Sequence, residues 1–442
     1  MVKKSGFKFV DLFAGIGGFH AAATAMGGEC VYAVEIDSAA AKIYEQNWAK
    51  SALGDITFDA NDEVVLVPDH DVLFAGFPCQ PFSKSGLQAG MNETRGTLFW
   101  NIAKVIEARQ PALVVLENVR NIAGPRHRHE WAIIIRTLRQ LGYRVSETPS
   151  ILSPHQIPIE LGGRPQVRER VFIVGARTNP DDANAGKSVR PVVSKSTLPW
   201  PTPNWDLLAQ LPLDVENEEQ SLKLTAQETL WINAWDDFVI EFRNHNQGLP
   251  IPTFPIWADS WVLESELELD AVIPTWKQNF LKKNSTLYTR NKKWLDVWSK
   301  KWGVFGSEFP PSRRKFEWQA QDAGSLWDCV MHFRPSGVRA KKATYVPALV
   351  AITQTSIVGP LKRRISVREA ARLQGFPDWF SFEGQREAQS YKQLGNGVSI
   401  GVVWQILKLT AARDADLLRL QNPSLLKTIQ SSTDSPDHFH KS

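Results

Sequence analysis

The first 178 residues repeat one pattern, a short apolar and β-branched run that stops at a glycine or an acid and is followed by a helix-like segment. KFVDLFAG runs into a glycine turn and AAATAMGG, and CVYAVEID is followed by AAAKIYEQNW. DVLFAGFP, ALVVLENV and VFIVGAR supply further strands at the spacing of βα units. Such connections predict an α/β fold, a mostly parallel sheet with helices on both faces. Ligands bind outside the carboxyl ends of such strands, where this chain places its least ordinary residues.

From about Thr178 the texture changes. Clusters of Pro and Asn mark a linker, and 12 of the 17 tryptophans fall between Trp200 and Trp327. Helical periodicity returns at ISVREAARLQGF and YKQLGNGVSIGVVWQILKLTAA, and the end SSTDSPDHFHKS is polar. The expected division is a catalytic, cofactor-binding part over 1–178, an inserted domain over 179–363, a completing segment over 364–413 and a partly disordered tail over 414–442. No apolar run reaches the eighteen or so residues that span a bilayer, so no membrane association is expected. The amino terminus lacks a leader-like run, and Cys30, Cys79 and Cys329 are odd in number without CxxC spacing, which predicts a reducing, cytoplasmic setting and no metal site.

A net charge of +4 says little, but its distribution is segregated. Asp214 to Asp270 holds 13 acidic against 2 basic residues, and Ala271 to Lys315 holds 11 basic against 2 acidic. Charge runs of this kind are more often solvated faces than binding surfaces.

Three strand ends carry groups suited to an adenosine-bearing cofactor. Gly15, Gly17 and Gly18 in DLFAGIGGF allow a tight turn and close approach of a ligand, although the run does not meet the dinucleotide pattern GxGxxG. Glu35 in VEID is placed for ribose hydroxyls, and Asp55 in GDI for an adenine amino group. In GFPCQPFSKSG, Cys79 sits between Pro78 and Gln80 at a strand end, a setting for a nucleophile, whereas Cys30 and Cys329 read as inert packing residues. Glu117 ends the apolar strand ALVVLENV, where burial raises a carboxyl pKa and suits it to donate a proton. In QVRERVFIVG, Gln166, Arg168 and Arg170 alternate toward one face and supply fixed charge, while Glu169 points the other way as a surface residue.

DLFAGIGGF, VEID, GDI, GFPCQPFS, ENV, QVRERVF, REAARLQGFP and LGNGV stand in the order of the C5-cytosine DNA methyltransferase family, and the chain resembles its bacterial modification form across nearly the whole catalytic part. The resemblance implies a Rossmann-like methyltransferase sheet that uses S-adenosyl-L-methionine and carries a long inserted target-recognition domain. It casts Cys79 as the thiolate that attacks carbon 6 of cytosine and Glu117 as the group on ring nitrogen 3. Arg170 would contact the cytosine carbonyl and orient Glu117, and Arg168 would steady the cysteine loop. It sets Phe13 against adenine, Glu35 on the ribose, Asp55 on the adenine amino group and the turn around Ile16 and Gly18 beside the methionine moiety, with Gly15, Ile36, Ile56, Pro78 and Asn396 also around the cofactor. Gln80, Ser83 and Ser85 would meet phosphates and the orphan base once the target is flipped.

In this family the insert reads duplex DNA. Lys282, Lys283, Lys292 and Lys293 are then expected to meet phosphates, and Arg334 and Arg339 guanine edges. A paired restriction endonuclease, a monomeric state and a place at the bacterial nucleoid follow from the same resemblance. Competing readings are a catalytically silent DNA-binding regulator and a tRNA cytosine-5 methyltransferase. Retention of Cys79, Glu117 and both arginines argues against the first, and the large basic insert against the second.

Overall fold

The computed structural model describes residues 6–78, 97–178, 189–194, 196–210, 213–214, 220–349 and 355–439. These divide into two units, Met1–Trp205 with Pro347–Ile352 and Ala370–Ser442, and Asp206–Val346 with Thr353–Glu369.

In the first unit β1 (Phe7–Leu12) lies between β2 (Gly28–Val34) and β3 (Val72–Gly76), and β4 (Leu113–Val119) follows β3, all parallel. Helices α1 (Gly18–Ala25), α2 (Ser38–Trp48), α3 (Ile56–Asp59), α4 (Leu98–Arg109) and α5 (Arg128–Gln140) make the connections. Ile102 and Ile106 of α4 and Ile134 and Leu138 of α5 share a buried cluster with Val114 and Leu116 of β4. Burying such side chains contributes about 1.5–3 kcal/mol each.

The expected parallel order holds for these four strands and then reverses. β5 (Tyr143–Val145) and β6 (Ser150–Leu152) precede β7 (Gln166–Val167), and β8 (Arg170–Arg177) runs antiparallel to β4, β5 and β6. An antiparallel partner needs no crossover helix. The reversal matters for chemistry, because β8 begins where β4 ends and Arg170 opposes Val119 at the carboxyl edge.

The second unit sets α6 (Leu207–Gln210), α7 (Ala226–His245) and α8 (Thr275–Trp302) with a six-stranded sheet. In that sheet β9 (Ile256–Trp257) pairs β10 (Lys315–Gln319), β10 pairs β12 (Gly337–Lys342), and β12 pairs β11 (Cys329–Arg334). Trp235 of α7 stacks on Phe316 of β10 at 4.8 Å, and Trp298 of α8 meets Trp235 at 5.1 Å. These tryptophans are core material, and helices cover one face of the sheet.

After α9 (Val367–Gln374) and α10 (Glu387–Asn396), α11 (Ile400–Arg413) packs on α1 in the first unit. Within the segment 414–442, the structure forms α12 (Ala415–Gln421) and α13 (Pro423–Ser431) and describes the chain through Phe439. Leu417, Leu418, Leu425, Leu426 and Ile429 are buried, and Asp414 is enclosed by Arg144 of β5 at 2.7 Å and Arg413 at 2.6 Å. Apolar spacing in 417–429 outweighs the polar composition around it.

Candidate active site and cofactor cavity

A cavity of about 470 Å³ opens at the carboxyl edge of the first unit's sheet. Strand ends supply Phe13 and Gly15, Glu35 to Asp37, Gly76 to Pro78, and Glu117 to Val119; Gly54 to Ile56, Arg170, and Lys392, Gln393, Gly395 and Asn396 of α10 complete it. Topology gathers Phe13, Gly15, Glu35, Ile36, Asp55, Ile56, Pro78 and Asn396, the residues expected to meet a cofactor, here. Ile16 and Gly18 do not line it: Ile16 is buried, and a Cβ on Gly18 would stand 2.7 Å from Val398 O. Asp37, Lys392 and Gln393 join the lining unforeseen by the motif reading. Asp37 could have been found as the N-cap of α2, where its Oδ1 accepts from the Ala39 and Ala40 amides.

The donor set suits an adenosine. Ile36 is 71% exposed beside Phe13, an apolar surface for a purine to cover. Glu35 Oε2 accepts from Gly15 N and Oε1 from Asp37 N, both at 2.8 Å, so the carboxylate is held in place with a lone pair left on each oxygen for ribose hydroxyls. Asp55 Oδ1 caps α3 through Thr57 N, and its Oδ2 makes no hydrogen bond among the described residues. The glycine turn is shaped as much by protein as by ligand. Gly17 has φ +90, and a Cβ there would stand 2.2 Å from Trp48 Nε1.

At the other end of the cavity Glu117 Oε1 and Arg170 Nε form an ion pair at 2.9 Å. Burial pushes the Glu117 carboxyl up, while Arg170 and Arg168 act in the opposite direction. The neighbouring Asn118 donates to Phe77 O at 2.9 Å, tying the end of β4 to the residue after β3. Glu169 faces away and pairs with Arg120, as a surface residue should. Among the described residues no group of three or more His, Cys, Asp or Glu is arranged to hold a metal ion.

Arg168 is expected to steady the cysteine loop, which lies outside the described residues; the partners that the structure describes for it are backbone carbonyls. It is fully buried, and its guanidinium donates to the carbonyls of Leu349 at 3.0 Å, Gly395 at 2.8 Å and Gly397 at 2.5 Å. It therefore anchors the turn that carries Asn396 and does not line the cavity. Cys79, Gln80, Ser83 and Ser85 lie outside the described residues; Pro78, just before them, lines the cavity.

In the second unit the four lysines and the two arginines occupy opposite sides. Lys282, Lys283, Lys292 and Lys293 are exposed on α8, on the side turned from its buried residues Leu287, Trp294 and Trp298. Lys292 is paired with Asp296 at 2.5 Å. Arg334, Arg339, Lys341 and His332 alternate with the core residues Phe333, Val338 and Ala340 and so share the sheet face that the helices leave uncovered. Arg339 is held by Glu317 at 2.5 Å, whereas the Arg334 guanidinium has no partner among the described residues. Part of the charge segregation also closes on itself, since Lys301 pairs with Asp237 at 2.9 Å and Arg314 with Asp259 at 3.0 Å.

The model of the C-5 cytosine-specific DNA methylase family matches residues 7–410. The chain is 49% identical to the type II methyltransferase M.AluI of Cellulosimicrobium cellulans, over 94% of this chain and 94% of that one. With the type II methyltransferase M.HhaI of Haemophilus parahaemolyticus it shares 40% identity over 40% of this chain and 50% of that one. The crystal structure of Spodoptera frugiperda DNMT2 aligns with 91% of this chain and 98% of its own, at 16% identity and a TM-score of 0.47. The chain belongs to the C-5 cytosine-specific DNA methylase family and is a DNA cytosine-5 methyltransferase of the type II modification kind.

Proposed function

We propose that the chain methylates a flipped cytosine through a covalent bond to Cys79, with Glu117 and Arg170 acting on the pyrimidine. The observation that carries this reading is the half-buried Glu117–Arg170 pair lining the same cavity as Phe13, Glu35 and Asp55. The Cys79 thiolate attacks carbon 6, Glu117 gives a proton to nitrogen 3, and the electron pair gathers on carbon 5. S-adenosyl-L-methionine, seated on Phe13, Glu35, Ile36, Asp55 and Asn396, supplies the methyl group. Loss of the carbon 5 proton to a base then expels the thiolate. A fluorine at carbon 5 cannot leave as a proton does. A duplex with 5-fluorocytosine at the target should therefore leave a DNA adduct on the peptide containing Cys79, and an adduct on Cys30 or Cys329 would overturn the assignment.

The second unit is read as the DNA-recognition domain, with the uncovered sheet face toward the bases and Arg334 as the free guanidinium. The likeness to M.AluI extends over 94% of both chains, insert included, while that to M.HhaI covers only 40% of this one. The chain is therefore assigned the DNA sequence that M.AluI modifies. DNA first saturated by M.AluI should accept no further methyl groups from this enzyme; continued incorporation would overturn the assignment. In this reading it acts as a monomer on the cytoplasmic nucleoid and shields DNA from an endonuclease that cuts the same unmodified sequence.

A further inference from the structure

Outside the insert, a basic stretch follows β4 directly. Residues 120–139 hold five arginines and two histidines against one acid, Glu130. Their partners sort them. Arg120 is paired with Glu169, Arg139 with Glu147 at 2.8 Å, and His127 lies 3.8 Å from Glu130. Arg126 and Arg128 are exposed and make no hydrogen bond or ion pair among the described residues.

Their position follows from topology. β4 delivers Glu117, Asn118 and Val119 to the cavity at the carboxyl edge, and α5, starting at Arg128, leads away from it. Arg126 and Arg128 therefore stand at the carboxyl edge of the sheet, the edge at which the cavity opens. Uncompensated cations on one rim raise the local positive potential and attract a polyanion. Guanidinium groups also match phosphate geometry with a forked pair of donors.

We propose that Arg126 and Arg128 form a phosphate clamp on the catalytic unit that holds the DNA backbone regardless of sequence. The clamp rests on the reading of the chain as a duplex DNA methyltransferase and assigns it a contact outside the recognition unit. It fixes the duplex beside the cavity while the second unit reads the bases, so its loss should be felt equally on every sequence.

The test compares the full chain with R126A/R128A and R126K/R128K by anisotropy, using a labelled 30-bp duplex of arbitrary sequence at several salt concentrations. Each lost phosphate contact lowers the slope of log affinity against log salt by about 0.9. The alanine pair should therefore lose about 1.8 in slope and on the order of ten-fold or more in affinity near 0.1 M salt. The lysine pair should keep the slope. Turnover at saturating DNA and the affinity for S-adenosylhomocysteine should stay within about two-fold of the parent protein, with unchanged thermal unfolding. An unaltered slope in the alanine pair, or an affinity loss that tracks lower thermal stability, would overturn the clamp. Failure of the parent protein to methylate duplex DNA would instead overturn the reading on which the clamp rests.

Discussion

Arg170 Nε lies 2.9 Å from Glu117 Oε1 across an antiparallel ladder in which Val119, not Glu117, is the residue opposite Arg170. The arginine reaches back diagonally over two residues of β4, and this diagonal turns the carboxyl into the cavity. Burial raises the Glu117 pKa while Arg170 and Arg168 oppose the rise, so the acid keeps its proton to higher pH than an ordinary glutamate.

That balance predicts a pH profile. Methyl transfer should fall as pH rises through the raised Glu117 value, because the form that can protonate nitrogen 3 disappears. Arg170→Ala removes the opposing charge and should move the falling limb to higher pH while lowering kcat. Glu117→Gln should abolish the limb and reduce turnover by about 10²–10⁴-fold. A limb that stays in place in both variants would assign it to another group.

Cysteine chemistry gives a second expectation. Burial pushes both Cys30 and Cys329 up to about 12, so neither is a thiolate near neutrality. Cys79→Ser should abolish methylation and leave binding of S-adenosylhomocysteine within about two-fold, while Cys30→Ala and Cys329→Ala retain turnover. Steady-state kinetics with calorimetric cofactor titration would detect the reverse pattern.

The division between phosphate and base contacts gives a third. Arg334→Ala should cost about 1–3 kcal/mol at one base position of the recognised site and leave other positions unchanged. Replacing Lys282, Lys283, Lys292 and Lys293 together by glutamine should leave sequence discrimination intact and lower the salt slope by less than one contact, because the uncovered sheet face is the one assigned to DNA. Binding isotherms on single-base variants at several salt concentrations separate the two sets, and a large slope change in the lysine variant would move the DNA to α8.

Much of the catalytic unit was legible because its strands are short apolar runs ending in residues that apolar runs do not otherwise contain. Glu35, Asp55 and Glu117 were placed by that logic, and all three line the cavity. The burial of Arg168 was not legible, since alternation along QVRER could not reveal that β7 stops at Val167 and that the carbonyls of Leu349, Gly395 and Gly397, distant in sequence, accept from the guanidinium. The antiparallel sense of β8 was hidden for a related reason: an apolar run carries no direction. In the insert, the tryptophan density announced a core but not the sheet, whose residues 316–318 and 329–342 are scattered among charges. The pairing of Lys301 with Asp237 and Arg314 with Asp259 could not be read from charge blocks either.

Acid stability gives a fourth expectation. Burial lowers His20 to about 3, with Lys50 adding to the effect, and His20 Nδ1 lies 2.6 Å from Tyr44 OH. Burial also lowers His332 to about 3, with Arg334, Arg339, Lys341 and Arg364 acting the same way, and its Nε2 lies 2.6 Å from Ser356 Oγ. Both histidines are neutral when folded and protonate near 6.5 when unfolded, so stability is full above that value and declines as pH falls from about 6.5 toward 3. His20→Asn and His332→Asn should each flatten part of that decline in chemical denaturation measured from pH 7 to pH 4. Unchanged slopes would show that other groups govern it.

The enzyme transfers a methyl group to carbon 5 of cytosine in DNA. Purified enzyme, S-adenosyl-L-methionine and unmethylated duplex DNA should yield 5-methylcytosine as the sole new nucleoside on mass spectrometry of the digested product, with a parallel tRNA sample unmodified. N4-methylcytosine, N6-methyladenine, or 5-methylcytosine confined to the tRNA would be incompatible with that activity.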